Sequence, residues 1–265
     1  MNERDFPTLL LTRPSSHVLQ VTLNRPEVAN ALNTQMGMDL FKLFEALALD
    51  PDDTRAVIVT GKGDRAFCAG GDLKERNGMT EEAWGRQHLI FERMVRALID
   101  CPLPLIGAVN GAAYAGGCEI AACLDFIYAA EQARFAQTET TIGIIPGAGG
   151  TQTLARAIGE RRAKELILSG KPFTATDAKA WGLVNEVFPQ KQVLGECLAV
   201  AERIATNAPI AIRQAKQAIH RGLQMSLNDG LTFEIEAYNR TVPTDDRKEG
   251  VLAFNEKRKP VFKGR

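Results

Sequence analysis

The stretch Ala113–Phe126, AYAGGCEIAACLDF, places two adjacent glycines and one carboxylate among small and apolar residues. No charged residue stands between Cys101 and Cys118, and after Glu119 none follows until Asp125. Small residues, a glycine pair and an apolar run are typical of a junction between a strand and a helix. An ionised carboxylate is rarely buried without a partner, because leaving water costs it a large free energy. Glu119 is therefore either exposed to solvent or committed to a chemical task.

The same unit of strand, glycine turn and helix recurs along the chain. Strands are predicted at 17–24, 56–60, 66–68, 102–110, 125–129 and 134–137, and helices at 34–49, 80–99, 146–158, 193–205 and 212–219. Fully apolar strands that alternate with helices indicate a mostly parallel sheet buried on both faces, hence an α/β fold. From about residue 190 only helices are predicted. We therefore expect a core over residues 1–190 and a helical region over residues 191–265.

Composition limits the classes of function. The chain has 265 residues, 45% of them hydrophobic, and 32 basic residues balance 32 acidic ones. A net charge of zero gives no indication of nucleic-acid binding, and no run approaches the ~20 apolar residues of a membrane span. The N-terminus lacks the apolar segment of a signal peptide, so we expect a cytoplasmic protein. Five cysteines without a C-x-x-C pair and three histidines without ligand spacing predict reduced, buried thiols and no metal site.

The sequence contains one loose match to a dinucleotide-binding motif, but the residues after it do not predict the helix that the motif requires. Residues 61–66 fit G-x-G-x-x-[GA] after a predicted strand. The motif requires a helix at its third position, whereas residues 66–71 are typical of a strand and a turn. We therefore do not expect a dinucleotide cofactor.

Two glycine clusters, at 69–72 and 115–118, allow two interpretations. The glycines either permit tight packing of the backbone or expose backbone N–H groups to a ligand. If Gly116 begins a helix, its N–H has no partner within that helix. Two such donors that converge would form an oxyanion hole, in which each donor contributes about 3 kcal/mol to catalysis.

A second carboxylate, Glu139, lies just before the glycine-rich residues 143–150. Paired carboxylates can divide acid and base catalysis, because each raises the pKa of the other and burial raises both. The alternatives are a hydrogen-bonded structural carboxylate for Glu119 and a solvated loop residue for Glu139.

Seven segments together resemble the enoyl-CoA hydratase/isomerase (crotonase) family, in order and spacing, from about residue 10 to the C-terminus. They are Asn24–Pro26, Ala66–Lys74, Ala108–Gly111, Gly116–Glu119, Phe135–Glu139, Ile142–Gln152 and Asp246–Gly250. The resemblance implies a spiral of repeated ββα units followed by a C-terminal α-helical trimerisation region. It also implies a homo-oligomer, a trimer or a dimer of trimers, and an acyl-CoA thioester substrate. No separate cofactor is implied, because coenzyme A is part of the substrate.

The resemblance also implies roles for particular residues. The backbone N–H groups of Gly71 and Gly116 would hold the thioester oxygen. Glu119 would position and deprotonate water for attack at the β-carbon, and Glu139 would exchange the proton at the α-carbon. The remaining residues implied to contact the coenzyme A and acyl groups are Ala69, Asp72, Leu73 and Lys74. Because both glutamates are present, hydration is favoured over double-bond isomerisation, which is the alternative.

Two segments are similar to a narrower branch of the family. Residues 72–76 and 241–254 resemble the branch that hydrates methylglutaconyl-CoA, one member of which binds AU-rich RNA. The basic tail at 256–265 is compatible with a solvated surface, with contact to coenzyme A phosphates or with RNA. Nucleic-acid binding is the least favoured, because the chain is neutral and has no basic patch with interleaved aromatic residues.

Overall fold

The structure is a computed structural model that describes residues 6–265. The strands in this range are β1 (Leu9–Ser15), β2 (Val18–Leu23), β3 (Ala56–Gly61), β4 (Ala66–Cys68), β5 (Leu105–Val109), β6 (Ala112–Tyr114), β7 (Phe126–Ala130), β8 (Arg134–Ala136), β9 (Phe173–Thr174) and β10 (Glu186–Phe188). The α-helices are α1 (Thr34–Leu49), α2 (Leu73–Arg76), α3 (Glu81–Asp100), α4 (Gly116–Ala122), α5 (Gly150–Ile158), α6 (Glu160–Ser169), α7 (Ala175–Trp181), α8 (Gln190–Ala205), α9 (Pro209–Gly222), α10 (Leu227–Thr241) and α11 (Asp245–Asn255).

The strands form two sheets, and from β3 to β8 successive strands alternate between them. The larger sheet has the order β1-β2-β3-β5-β7-β10, and the smaller has the order β4-β6-β8-β9. Three times in succession, in β3/β4, β5/β6 and β7/β8, the first strand joins the larger sheet and the second joins the smaller one. Pairing is parallel except between β1 and β2 and between β8 and β9. This repeat confirms the predicted α/β spiral of ββα units.

The central strands of the larger sheet are buried and mostly apolar. All residues of β3 and β5 are buried, as their mostly apolar sequences predict for parallel strands covered on both faces. Helix α8 packs on β3, β5 and β7 through Val193, Cys197 and Ala201. The predicted division between residues 190 and 191 falls in the first turn of this helix, and it stays a prediction.

The structure also contains elements that the sequence patterns did not indicate. Strands β1 and β6 and helix α6 were not predicted, and the helix predicted from residue 146 begins at Gly150. Strand β1 contains Pro14, which interrupts the alternation at the register shift between Thr12 and Ser15. Strand β6 is only three residues long, with the sequence Ala-Ala-Tyr, which is too short to show a periodic pattern of apolar residues.

The cysteines and the helices can be compared with the predictions made from composition. The five cysteines are free and buried, as predicted. Between residues 6 and 265, no helix is both long enough and apolar enough to cross a membrane.

Candidate active site

The two glycine clusters are brought together by the pairing of β4 with β6. These strands are parallel, with Cys68 opposite Ala113, so the segments that follow them leave the sheet side by side. Residues 69–72 follow β4 and residues 115–118 follow β6. The carboxyl ends of adjacent parallel strands are a common location for ligand sites.

Two of the glycines are required by close packing. Gly70 has φ +96°, and a Cβ there would lie 2.8 Å from the Cβ of Ala115 and from the carbonyl oxygen of Tyr114. A Cβ on Gly117 would lie 2.1 Å from the carbonyl oxygen of Cys68. The packing interpretation of the clusters is therefore correct for Gly70 and Gly117.

The other two glycines, Gly71 and Gly116, line one cavity. Gly71 forms a parallel β-bridge with Leu32. The N–H of Leu32 donates to the carbonyl oxygen of Gly70 at 2.7 Å, and the carbonyl oxygen of Leu32 accepts from the N–H of Asp72 at 2.9 Å. The N–H of Gly71 consequently points away from Leu32. Gly116 is the first residue of α4, and across residues 6–265 neither its N–H nor that of Gly71 has a hydrogen-bond acceptor.

The backbone before Gly116 is strained. Ala115 has φ +47° and ψ −122°, a conformation that non-glycine residues rarely adopt. Such strain persists where the surrounding structure enforces it, and it is concentrated at functional sites. Here it immediately precedes a residue that lines the cavity.

Glu119 lies one helical turn after Gly116 and is oriented by backbone donors. Its side chain is 3% exposed, and its Oε1 accepts hydrogen bonds from the N–H groups of Ala148 and Gly150 at 2.8 Å each. Gly150 begins helix α5, whose positive N-terminal end favours a negative charge. Glu119 is thus buried with partners, which resolves the question raised by its apolar surroundings.

Glu139 enters the same cavity from the end of β8. It begins a short 3₁₀ helix at Glu139–Ile142 and is 6% exposed, so it is not the solvated loop residue of the alternative interpretation. The fully buried Gln137, with its amide nitrogen turned toward Glu139, donates to both carboxylate oxygens at 3.0 and 3.1 Å. The second carboxylate is therefore also buried with a hydrogen-bond partner.

The two carboxyl groups differ in their electrostatic environment. Burial raises the pKa of Glu119, while the N–H groups of Gly150 and Ala148 oppose that rise. Burial first, and then the charge of Glu119, raise the pKa of Glu139 to about 7. Of the two carboxyl groups, Glu139 therefore keeps its proton to the higher pH.

The cavity between these groups has a volume of about 110 Å³. Of the residues predicted from the sequence, those that line it are Ala69, Gly71, Leu73, Gly116, Glu119 and Glu139. Apolar contacts come from Leu32, Phe91, Ile142, Ile144 and Ile145.

Asp72 and Lys74 do not line this cavity. Asp72 is buried, accepts from Arg25 at 2.8 Å and caps helix α2 by accepting from the N–H groups of Lys74 and Glu75. Burial alone would raise the pKa of Asp72. These hydrogen bonds outweigh burial and lower the pKa, and the one from Arg25 has the largest lowering effect. Asp72 therefore holds the segment after Gly71 in place, while Lys74 is exposed on α2.

Several polar residues at the site were not assigned from the sequence, among them Gln137 and Arg76. Gln137 stands two residues before Glu139, directly after the end of β8. Arg76 ends helix α2 and lines the cavity beside His88. Gln137 and Glu139 both follow the end of β8, so strand alternation does not relate them, and the position of Arg76 depends on the packing of α2 against α3.

The enoyl-CoA hydratase/isomerase family model matches residues 13–265. The chain belongs to this family. A 2,3-dehydroadipyl-CoA hydratase of Escherichia coli (strain K12) is 40% identical over 265 residues, with 97% of this chain and 99% of the relative covered. A short-chain-enoyl-CoA hydratase of Clostridium acetobutylicum is 39% identical over 242 residues, with 91% and 92% covered.

Solved structures of the enoyl-CoA hydratase/isomerase family share the fold. The crystal structure of an enoyl-CoA hydratase from Bacillus anthracis superposes with a TM-score of 0.95 at 43% identity, covering 97% of this chain and 100% of that chain. The predicted family and its fold are thereby confirmed. The trimerisation role of the C-terminal helices stays a prediction.

The basic tail folds back on the last helix. The N–H groups of Lys263 and Gly264 donate to the buried carboxylate of Asp246, and Arg55 donates to the oxygen of Phe262 at 2.8 Å. Arg258 pairs with both carboxylate oxygens of Glu249 at 2.6 and 2.9 Å. Part of the tail's positive charge is therefore neutralised within the chain.

Proposed function

We propose that this chain is an enoyl-CoA hydratase, which adds water reversibly across the 2,3 double bond of a 2-trans-enoyl-CoA to give a 3-hydroxyacyl-CoA. The observation that carries the proposal is the meeting of two unlike carboxyl groups with two unpartnered backbone N–H groups in one cavity. The names of the Escherichia coli and Clostridium relatives, both hydratases, support it.

The N–H groups of Gly71 and Gly116 form the proposed oxyanion hole. Addition of water at the β-carbon moves negative charge onto the thioester oxygen, so donors aimed there bind the transition state better than the substrate. Backbone donors supported by a strained residue need no reorganisation when the charge develops. Because coenzyme A is part of the substrate, the proposal requires no separate cofactor.

Glu119 is the proposed base. Its carboxylate is oriented through Oε1 by two N–H groups, so Oε2 is left to accept a proton from water. Glu139 is the proposed acid, since its raised pKa keeps a proton available for the α-carbon near neutral pH. The two groups titrate as a coupled pair and exchange roles in the dehydration direction.

The test is hydration of crotonyl-CoA, followed by loss of the conjugated-enoyl absorbance. We expect Glu119→Gln and Glu139→Gln each to lower kcat by about 100-fold to 10,000-fold, the usual contribution of a positioned acid or base. Circular dichroism and an unfolding curve of each variant establish that the fold is retained. Glu131→Gln, at an exposed position, is the matched control and should leave kcat unchanged.

Three outcomes would count against the proposal. No hydration with enoyl-CoAs of any chain length would overturn it. Movement of the double bond in a 3-enoyl-CoA without hydration would make the chain an isomerase. Near-normal kcat in either glutamine variant would remove that glutamate from its role.

A further inference from the structure

The wall of the cavity next to Gly71 carries an arginine. The guanidinium of Arg76 lies beside Gly71, where a Cβ would be 3.1 Å from Nη1 and 3.2 Å from Cζ. Arg76 therefore shares the cavity with Glu119 and Glu139 and is partly buried in it. The proposed hydration of a simple enoyl group assigns it no task.

The guanidinium is held in one orientation by neighbouring side chains. Its Nε donates to Oε1 of Gln87 at 2.8 Å, and Gln87, which is 2% exposed, is anchored in turn by donating to Thr34 and Glu75 at 2.8 Å each. Cζ lies 4.6 Å from the ring centroid of Trp84 and 5.7 Å from that of Phe91. A planar group supported in this way is preorganised for binding.

The two terminal NH₂ groups of Arg76 lack a partner. Among residues 6–265, no acceptor lies within hydrogen-bond distance of them and no carboxylate forms an ion pair with the guanidinium. Glu75, Glu119 and Glu139 act on its charge only at longer range. His88, the other basic side chain in the cavity, has its pKa lowered by burial and by Arg76, so it adds little positive charge at neutral pH.

A partly buried cation with two unpaired donor groups fits an anion that has two oxygens. The substrate offers this chemistry in its coenzyme A phosphates or in a carboxylate on the acyl chain. The acyl chain is favoured, because Arg76 lies in the cavity that contains both catalytic carboxyl groups. We propose that Arg76 is a specificity residue that selects enoyl-CoA substrates whose acyl chain ends in a carboxylate.

This inference rests on the proposed hydratase function, and its test uses pairs of substrates that differ only in charge. Trans-2-hexenoyl-CoA is compared with the six-carbon enoyl-CoA in which a carboxylate replaces the terminal methyl group, and trans-2-pentenoyl-CoA with its five-carbon counterpart. The coenzyme A phosphates are the same within each pair. A change in the ratio of kcat/KM values therefore reports on the acyl carboxylate alone.

We expect the wild-type protein to prefer the carboxylated member of at least one pair by about tenfold to 100-fold, the range of a charge-assisted hydrogen-bonded pair. Arg76→Met, which keeps the packing on Trp84 and removes the charge, should lower this ratio at least tenfold. Arg76→Lys, which keeps the charge without the fork of donors, should retain part of the preference. Arg96→Met is the control, because Arg96 is exposed on α3 and should not change the ratio.

The possible failures are distinguishable. Hydration without a preference for the carboxylated substrates would overturn the inference alone. An equal loss on both members of a pair in Arg76→Met would also overturn it, and would make Arg76 an electrostatic partner of Glu119 and Glu139. Hydration of neither member by the wild-type protein would overturn the proposed function, and this inference with it.

Discussion

At the scale of single residues, the site separates two chemically identical side chains by their surroundings. Glu119 receives two backbone hydrogen bonds, whereas Glu139 lies next to the charge of Glu119 and has its pKa raised to about 7. The same burial that suits Glu139 to hold a proton also makes its ionised form unfavourable in the folded protein. The site should therefore reduce stability at high pH.

Glu139→Gln is expected to become more stable relative to the wild type as pH rises from 5 to 8. A carboxyl whose pKa is raised on folding stabilises the protein below its unfolded pKa, and this contribution is lost as pH rises through about 7. The full shift corresponds to ~3 kcal/mol, and solvent screening reduces the expected gain to about 1–2 kcal/mol. Urea unfolding at both pH values, at one protein concentration, measures it.

Glu131→Gln serves as the control for this titration, because Glu131 is exposed. Its stability relative to the wild type should be the same at pH 5 and pH 8. If Glu139→Gln also showed no dependence on pH, the raised pKa of Glu139 would be wrong, whatever the activity of the variant.

At the scale of elements, the catalytic geometry depends on how closely α4 approaches β4. Gly117→Ala would place a Cβ 2.1 Å from the carbonyl oxygen of Cys68, and neither backbone can yield without displacing Gly116 or Gly71. We expect the free energy of unfolding to fall by about 1–3 kcal/mol, as is usual for overpacking, and kcat to fall as well. Chemical unfolding and the hydration assay measure the two effects.

A glycine-to-alanine substitution in helix α3 should instead raise the free energy of unfolding. Nothing lies within 4 Å of a Cβ placed on Gly85, and an alanine there gains helix propensity of about 1 kcal/mol. Gly85→Ala should therefore stabilise the protein and leave kcat unchanged. A Gly117→Ala variant as stable as the wild type would show that the approach of α4 to β4 is not required.

The elements also show what the sequence could predict. The mostly apolar sequences of β3 and β5 and the periodicity of α1 were sufficient, because burial alone determines them. Strand β6 and the orientation of Arg76 were not predictable, because both depend on contacts between segments distant in the chain. The family resemblance identified Glu119 and Glu139, but only the structure shows which backbone donors and which amide hold them.

At the scale of the whole molecule, the C-terminal helices leave apolar surface uncovered within one chain. Helices α9 and α10 pack on each other, yet their exposed side chains include Ile219, Leu223, Leu227, Leu231, Ile235 and Tyr238. Phe254 on α11 is 84% exposed. Such concentrations of exposed apolar side chains mark interaction surfaces.

We expect this surface to be covered by copies of the same chain, as a trimer or a dimer of trimers. Light scattering on a sizing column should then give a mass of three or six chains. Leu231→Asp should shift the mass toward one chain, because a carboxylate buried in an apolar interface loses its hydration without gaining a partner. Leu231 is 52% exposed within one chain, so its replacement should leave the secondary structure intact.

Leu49→Asp is the control for the interface, since Leu49 is 85% exposed at the end of α1 and is not part of α9, α10 or α11. It should leave the mass unchanged. A wild-type mass of one chain at micromolar concentration would contradict the predicted oligomer. If Leu231→Asp remained a trimer, the assembly would have to use a surface other than α10. If it dissociated and also lost hydration activity, the arrangement of the cavity would depend on neighbouring copies, although every group assigned to the reaction lies in one chain.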